Sequence, residues 1–303
     1  MLPGKRFREC ESGNVLQGKC FRACVSGKEM RDYIMDREFL KNKKRIVVKI
    51  GTSNVTHEET GDINLLKLDK FAEVLTDLRG RGKDVIIVSS GAIGAGRTAL
   101  NIKERPKELP IKQACAAVGQ ARLMMIYQKM FSEYSQTIAQ LMVTKHTFTN
   151  EISRENAGNT LRELLDMGVI PIINENDPVS TDQIQNEVFG DNDTLSAMVS
   201  ELVGADLLIL LSDIDGLYTD NPKVNPKAQF IECVENVDEE MMQYAKGAST
   251  TWGTGGMTTK LEAAKIATKA GVDMVICNGA DVVNVSRILD GKDIGTVFVS
   301  SKS

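Results

Sequence analysis

Two lysines stand where an isolated charge is unfavourable. Lys49 interrupts the apolar run Arg45–Ile50 and is followed by Gly51-Thr52-Ser53-Asn54. Lys260 ends the run Gly253-Thr254-Gly255-Gly256-Met257-Thr258-Thr259, where an amphipathic stretch begins. A lysine inside a buried strand needs an anionic partner, or burial drives it toward the neutral amine. A lysine in the first turn of a helix opposes the dipole unless an anion is bound there. Glycines, hydroxyls and a lysine at a helix start suit a phosphate group. Neither segment is a Walker A loop, because G-x-x-x-x-G-K-[ST] is absent. Taken alone, Lys49 reads better as a strand-end lysine whose head reaches solvent. A flexible linker competes for residues 253–260.

Four further segments concentrate polar groups. Ser89-Ser90-Gly91-Ala92-Ile93-Gly94-Ala95-Gly96 has the spacing G-x-x-G-x-G rather than the dinucleotide order G-x-G-x-x-G, and the acidic residue expected about 20 positions on is missing. An anion cradle and close packing of chain elements remain equal readings of it. Asn174-Glu175-Asn176-Asp177-Pro178 is either a ligand loop or an Asx turn stopped by proline. Phe189-Gly190-Asp191-Asn192-Asp193-Thr194 leads into an apolar helix. One cap needs one such side chain, so three in succession favour a functional role. Ser212-Asp213-Ile214-Asp215-Gly216-Leu217-Tyr218 is a polar loop with an aromatic ring able to lie near a base, and an ordinary surface loop is its rival.

The elements that must hold these groups follow from periodicity. Short apolar runs at 45–50, 84–90, 137–143, 169–173, 207–211, 273–277 and 295–299 predict strands. Helical patterns run between them at 65–79, 111–134, 156–167, 194–203 and 257–270. Several strands are apolar at nearly every position, as when helices cover both faces. The alternation predicts a three-layer α/β/α sandwich with a mostly parallel central sheet. Ligands in such sheets sit at the carboxyl ends of the strands, where these polar motifs fall.

Composition narrows the class. With 42% hydrophobic and 26% charged residues, 303 positions can bury a sizeable core. The net charge is −4 and uneven: residues 1–45 carry 12 Lys/Arg against 6 Asp/Glu, the remainder 25 against 35. An acidic body disfavours nucleic acid as the main partner. Six scattered cysteines and two histidines form no metal-ligand spacing, and reduced thiols are expected. No run is long enough to cross a bilayer or to serve as a signal peptide, so a soluble, cytoplasmic protein is expected. Residues 1–43 show no sustained period, and Met30 and Met35 lie just before the first strand. They read as a poorly ordered basic extension ahead of a domain at 44–303.

In this order the motifs VVKIGTSN (47–54), VSSGAIGAG (88–96), KQACAAVGQ (112–120), NENDPVS (174–180), FGDND (189–193), SDIDGLYTDNP (212–222) and GTGGMTTK (253–260) resemble the amino-acid kinase family, in the branch that phosphorylates glutamate. The resemblance spans about residues 44–299. It implies transfer of the ATP γ-phosphoryl group to the side-chain carboxylate of L-glutamate, with Mg²⁺ held mainly by the ATP phosphates rather than by a protein metal site. The N-terminal part of the domain would bind glutamate and the C-terminal part ATP. Lys49 and Lys260 would contact the phosphates and the transition state, and Asp193 would hold both lysines. Ser90, Asp177 and Asn192 would bind glutamate, with Asn174 assisting. Ser212 and Asp213 would border the nucleotide together with Thr254, Gly255, Gly256, Met257, Thr258, Thr259 and Lys260. Family members commonly have Thr where Ser212 stands, and the hydroxyl is kept.

The same resemblance implies the first step of proline synthesis, proline as a feedback inhibitor, and a homo-oligomer. Many members carry a C-terminal PUA domain, and a sequence stopping at Ser303 reads as a form without it. A relative acting on acetylglutamate or aspartate, and a non-catalytic amino-acid sensor, are the competing readings.

Overall fold

The computed structural model describes residues 37–57, 60–180, 192–222, 224–239, 241–242 and 256–300. Strands β1 (Arg45–Ile50), β2 (Asp84–Ser89), β3 (Ile138–Val143), β4 (Ile170–Glu175), β5 (Leu207–Ser212) and β9 (Asp273–Asn278) fall on the predicted runs to within about a residue or two. The two-residue strands β6 (Leu217–Tyr218), β7 (Phe230–Ile231) and β8 (Cys233–Val234) are too short to leave a period in the sequence. With β10 (Thr296–Phe298), eight strands form one sheet among the described residues, in the order β3-β4-β2-β1-β5-β9-β10-β8. Only β9 and β10 run antiparallel within it. Pro171 is tolerated inside β4 because the ladder to β2 begins beyond it, at Ile172.

Period-two alternation sorts the sheet into two faces. Ile46, Val48 and Ile50 of β1 join one core with Ile87, Ile172, Ile209 and Leu211. That core is covered by α2 (Leu65–Gly80), α4 (Leu109–Glu133) and α9 (Asn284–Leu289). Val47 points to the other core with Val88, Ile173, Leu208 and Leu210, under α6 (Glu151–Asp166), α7 (Asn192–Val203) and α8 (Met257–Lys269). The result is the three-layer sandwich expected from the sequence. Short helices α1 (Thr52–Val55), α3 (Ala92–Ala99) and α5 (Lys145–Thr149) occupy loops after strands. No helix among the described residues is long and apolar enough to cross a membrane.

The described residues begin at Arg37, ahead of the boundary expected at 44. Residues Glu38–Asn42 form a 3₁₀ turn that buries Phe39 and Leu40. The Arg37 guanidinium donates to the carbonyls of Ile294, Glu232 and Gly295 at 2.6, 3.0 and 2.9 Å. Residues 1–36 lie outside the described residues.

Candidate active site

Strand parity brings the predicted charges together. Lys49 alternates with Val47, so its side chain enters the layer formed by α7 and α8. Asp193 lies in the first turn of α7 and Lys260 in the first turn of α8. Asp193 is 0% exposed. Its Oδ1 lies 2.6 Å from Lys49 Nζ, and its Oδ2 lies 2.9 Å from Lys260 Nζ. Burial alone would push this carboxyl up, but the two ammonium groups outweigh it and hold it well below the usual carboxylate range. Thr259 Oγ1 also donates to Oδ2, at 3.2 Å. Among these three side chains two amines face one carboxylate, an arrangement that suits a polyanion.

The chain changes direction across the sheet at this point. From β1 it proceeds to β2, then to β3 at the edge and back to β4 between them, all on one side, before it crosses to β5 on the other. The gap between the loops following β1 and β5 is the topological switch point, the common ligand crevice of such sheets. Gly51 opens the loop after β1, where a Cβ would come within 3.5 Å of Lys49 Nζ. Asn54 in the same loop accepts a hydrogen bond from Lys67 at 3.3 Å.

A second polar cluster lies at the ends of β2 and β4. Asn174 alternates with Ile170 and Ile172, and so faces the α4 layer. The Asn192 Nδ2 group donates to Ser90 Oγ at 2.7 Å, to Asn174 Oδ1 at 3.1 Å and to the Ser89 carbonyl at 3.2 Å. Asn174 Nδ2 donates in turn to Gln120 Oε1 at 3.0 Å. The candidates Ser90, Asn174 and Asn192 therefore form one connected group. Asn192 and Asp193 are consecutive in α7, which links this group to the lysine pair.

Asp177 stands in the turn after β4 and is 6% exposed. Its Oδ1 has no hydrogen-bond partner among the described residues. Burial pushes its carboxyl up to about 6. A buried acceptor without a donor is unfavourable by itself, and a cationic group beside it would relieve it.

The predicted nucleotide border is less tightly knit. Ser212 is buried at the end of β5 and donates to Asp213 Oδ1 at 3.2 Å, while Asp213 is exposed. Gly256 precedes α8, Thr258 is exposed, and Met257 packs its side chain into the core. Thr254, Gly255, Phe189, Gly190 and Asp191 lie outside the described residues. Tyr218, the candidate base neighbour, packs edge-on against Phe230 at 5.2 Å between ring centres. A groove of about 540 Å³ among α5, α6 and α7 holds none of the candidate residues.

Part of the glycine-rich segment after β2 serves packing. Gly91 adopts φ 102°, which favours glycine, and a Cβ on Gly96 would lie 1.8 Å from the Cys115 carbonyl oxygen. Helices α3 and α4 thus touch backbone to backbone, and this seats Gln120 beside Asn174. Sequence reasoning gave Gln120 no role, although it is a buried polar residue in a helix otherwise lined there by Cys115, Ala116 and Gly119.

Comparison with known proteins bears on most of the chain. The model of the Amino acid kinase family matches residues 44–278. The Glutamate 5-kinase of Carboxydothermus hydrogenoformans is 53% identical over 266 residues, covering 88% of this chain and 70% of that protein. The Glutamate 5-kinase of Clostridium perfringens is 49% identical over 267 residues, covering 88% and 99%. Among solved structures, a UMP kinase from Bacillus anthracis aligns with a TM-score of 0.58 at 15% identity, covering 86% of this chain and 97% of that one. Carbamate kinase from Giardia lamblia bound to AMP-PNP aligns at 0.59 and 16%, covering 86% and 100%. The two structures speak for the fold; the family match and the relatives about half identical establish that the chain belongs to the amino acid kinase family, in its glutamate 5-kinase branch.

Proposed function

We propose that this cleft transfers the γ-phosphoryl group of ATP to the side-chain carboxylate of L-glutamate. The observation that carries the reading is the convergence of Lys49 and Lys260 on one buried carboxylate. A glutamate side chain has a reference pKa of about 4.3, so it is already ionised at neutral pH and needs no general base. The obstacle is repulsion between that anion and a triphosphate. Catalysis then consists of positioning and charge neutralisation. An oxygen of the carboxylate attacks the γ-phosphorus, the bond to the β,γ-bridging oxygen breaks, and ADP leaves with the electron pair as L-glutamyl 5-phosphate forms.

In this reading Lys49 and Lys260 neutralise the transferring group, and Asp193 holds them apart at a fixed spacing. Ser90, Asn174 and Asn192 receive the glutamate, and Asp177 pairs with its α-ammonium group. Ser212, Asp213 and residues 254–260 surround the nucleotide. Mg²⁺ would arrive on the ATP phosphates and supply further charge neutralisation. The N-terminal part of the sheet then serves glutamate and the C-terminal part ATP. The product feeds proline synthesis, and proline as feedback inhibitor, a homo-oligomer and a cytoplasmic setting complete the proposal.

The test is ADP release that depends on glutamate, ATP and Mg²⁺, with hydroxylamine trapping the acyl phosphate as a hydroxamate. Turnover with N-acetylglutamate or aspartate in place of glutamate would reassign the acceptor. No turnover with any of the three would leave a binding protein.

A further inference from the structure

Gln120 is 7% exposed and lies on α4, which covers the sheet face opposite α7 and α8. Its hydrogen bond to Asn174 is one end of a chain whose direction can be deduced. The other end is the carbonyl oxygen of Ser89, which only accepts. Asn192 must therefore present its NH₂ group there and to Ser90 Oγ. Asn174 must then offer Oδ1 to Asn192 and turn its own NH₂ away, toward Gln120. Gln120 must answer with an acceptor. Every amide in the series is fixed in one sense, although a single amide could be turned either way.

The direction has a consequence at Ser90. Its Oγ already accepts from Asn192, so its O–H proton is available to donate. A hydroxyl whose proton is not spent within the protein can offer it to an anionic acceptor such as a carboxylate. We infer that Gln120 is a positioning residue for the carboxylate substrate, acting through Asn174 and Asn192 to keep the Ser90 proton free for that substrate. This rests on the glutamate reading of the cleft and names a residue that the reading did not include.

Gln120→Met keeps the length of the side chain and removes the acceptor. The 4%-exposed Asn174 is then left with an NH₂ group lacking its partner, and turning that amide would set two NH₂ groups against each other. The expected result is a rise in the glutamate KM of about tenfold, with kcat and the ATP KM within about twofold of the parent, the size expected for leaving one buried donor unsatisfied. In an Asn174→Ala background the same substitution should add less than about twofold, because Gln120 would have nothing to act through.

An unchanged glutamate KM, equal effects on both substrates, or multiplying effects in the double variant would each overturn the inference. Gln120→Leu serves if Gln120→Met does not fold, and failure of both to fold would make Gln120 structural and overturn it too. The parent enzyme separates the two levels of argument. Without glutamate-dependent ADP release in the parent, the glutamate reading fails; with it, only the role of Gln120 is at stake.

Discussion

Lys49 and Lys260 take opposite oxygens of the same buried carboxylate, at 2.6 and 2.9 Å from Asp193. One comes from the first strand and the other from the first turn of α8, so the pair ties together two layers of the fold. Asp193→Asn removes the shared anion and leaves two buried ammonium groups facing each other. Breaking a buried ion pair from one side costs about 3–5 kcal/mol, and a loss of at least that order is expected in urea unfolding at neutral pH. Because the folded carboxyl titrates below its ordinary value, its contribution is present above the ordinary carboxylate range and is lost as pH falls through the depressed folded value. The gap between parent and variant should therefore narrow in acid. ATP should stabilise the variant more than the parent, since its phosphates would replace the missing anion. Equal stabilisation by ATP would argue against phosphate binding at this pair.

Lys260→Ala separates catalysis from folding more cleanly. Asp193 keeps Lys49 as a partner, so the fold should survive with a modest fall in unfolding midpoint. Turnover should fall by about 100-fold or more, the usual cost of removing one preorganised group that stabilises developing charge. Glutamate KM should change little. Near-parental kcat in the purified variant would remove Lys260 from the chemistry.

Asp177 predicts opposite effects on stability and affinity. Its carboxyl is raised to about 6 by burial, against an ordinary value of 3.8. For a raised acid, the favourable contribution is complete below the ordinary value and is lost as pH rises through the folded value. At pH 8 the ionised group therefore strains the empty protein. Asp177→Asn should stabilise the ligand-free protein at pH 8, by at most about 3 kcal/mol, with the gain vanishing near pH 4. The same variant should raise the glutamate KM about tenfold or more while sparing that of ATP. In the parent, kcat/KM for glutamate should decline below about pH 6 as Asp177 takes up its proton. A flat profile there, or equal effects on both substrates, would assign Asp177 to structure.

How far the sequence discloses this site depends on the range of the signal. The strand carrying Lys49 was legible because its apolar run is local, but the lysine alone read as reaching solvent, and only the resemblance singled it out; in the structure alternation puts it on the face of Val47. Lys260 was legible because a cation in a first helical turn is anomalous by itself. Gln120 was not, because its meaning depends on α4 lying beside β4, and small residues such as Ala116 and Gly119 weaken the helical period that would mark a buried face. The strands at 217–218, 230–231 and 233–234 were missed for a different reason, since two residues show no alternation. The glycines after β2 could be read equally as a cradle or as packing, and only the approach of α3 to α4 shows that Gly96 is needed for packing.

That approach yields the last prediction. A Cβ on Gly119 would lie 1.8 Å from the Ala92 carbonyl oxygen and 2.4 Å from the Gly96 nitrogen, both backbone atoms. Backbone cannot swing aside as a side chain can, so Gly119→Ala must push α4 away from α3. Such overpacking costs about 1–3 kcal/mol. Gly80 offers the comparison within one protein, because it is also helical and nothing lies within 4 Å of the Cβ it would gain. Gly80→Ala should be neutral or stabilising by up to about 1 kcal/mol, through helix propensity and a less flexible unfolded chain. The two variants should differ in function as well. Displacing α4 moves Gln120 from Asn174, so Gly119→Ala should raise the glutamate KM several-fold and leave the ATP KM near the parent value. Gly80→Ala should change neither. If Gly119→Ala melts earlier yet binds glutamate as the parent does, the α3–α4 contact supports the fold without setting the geometry of the substrate site.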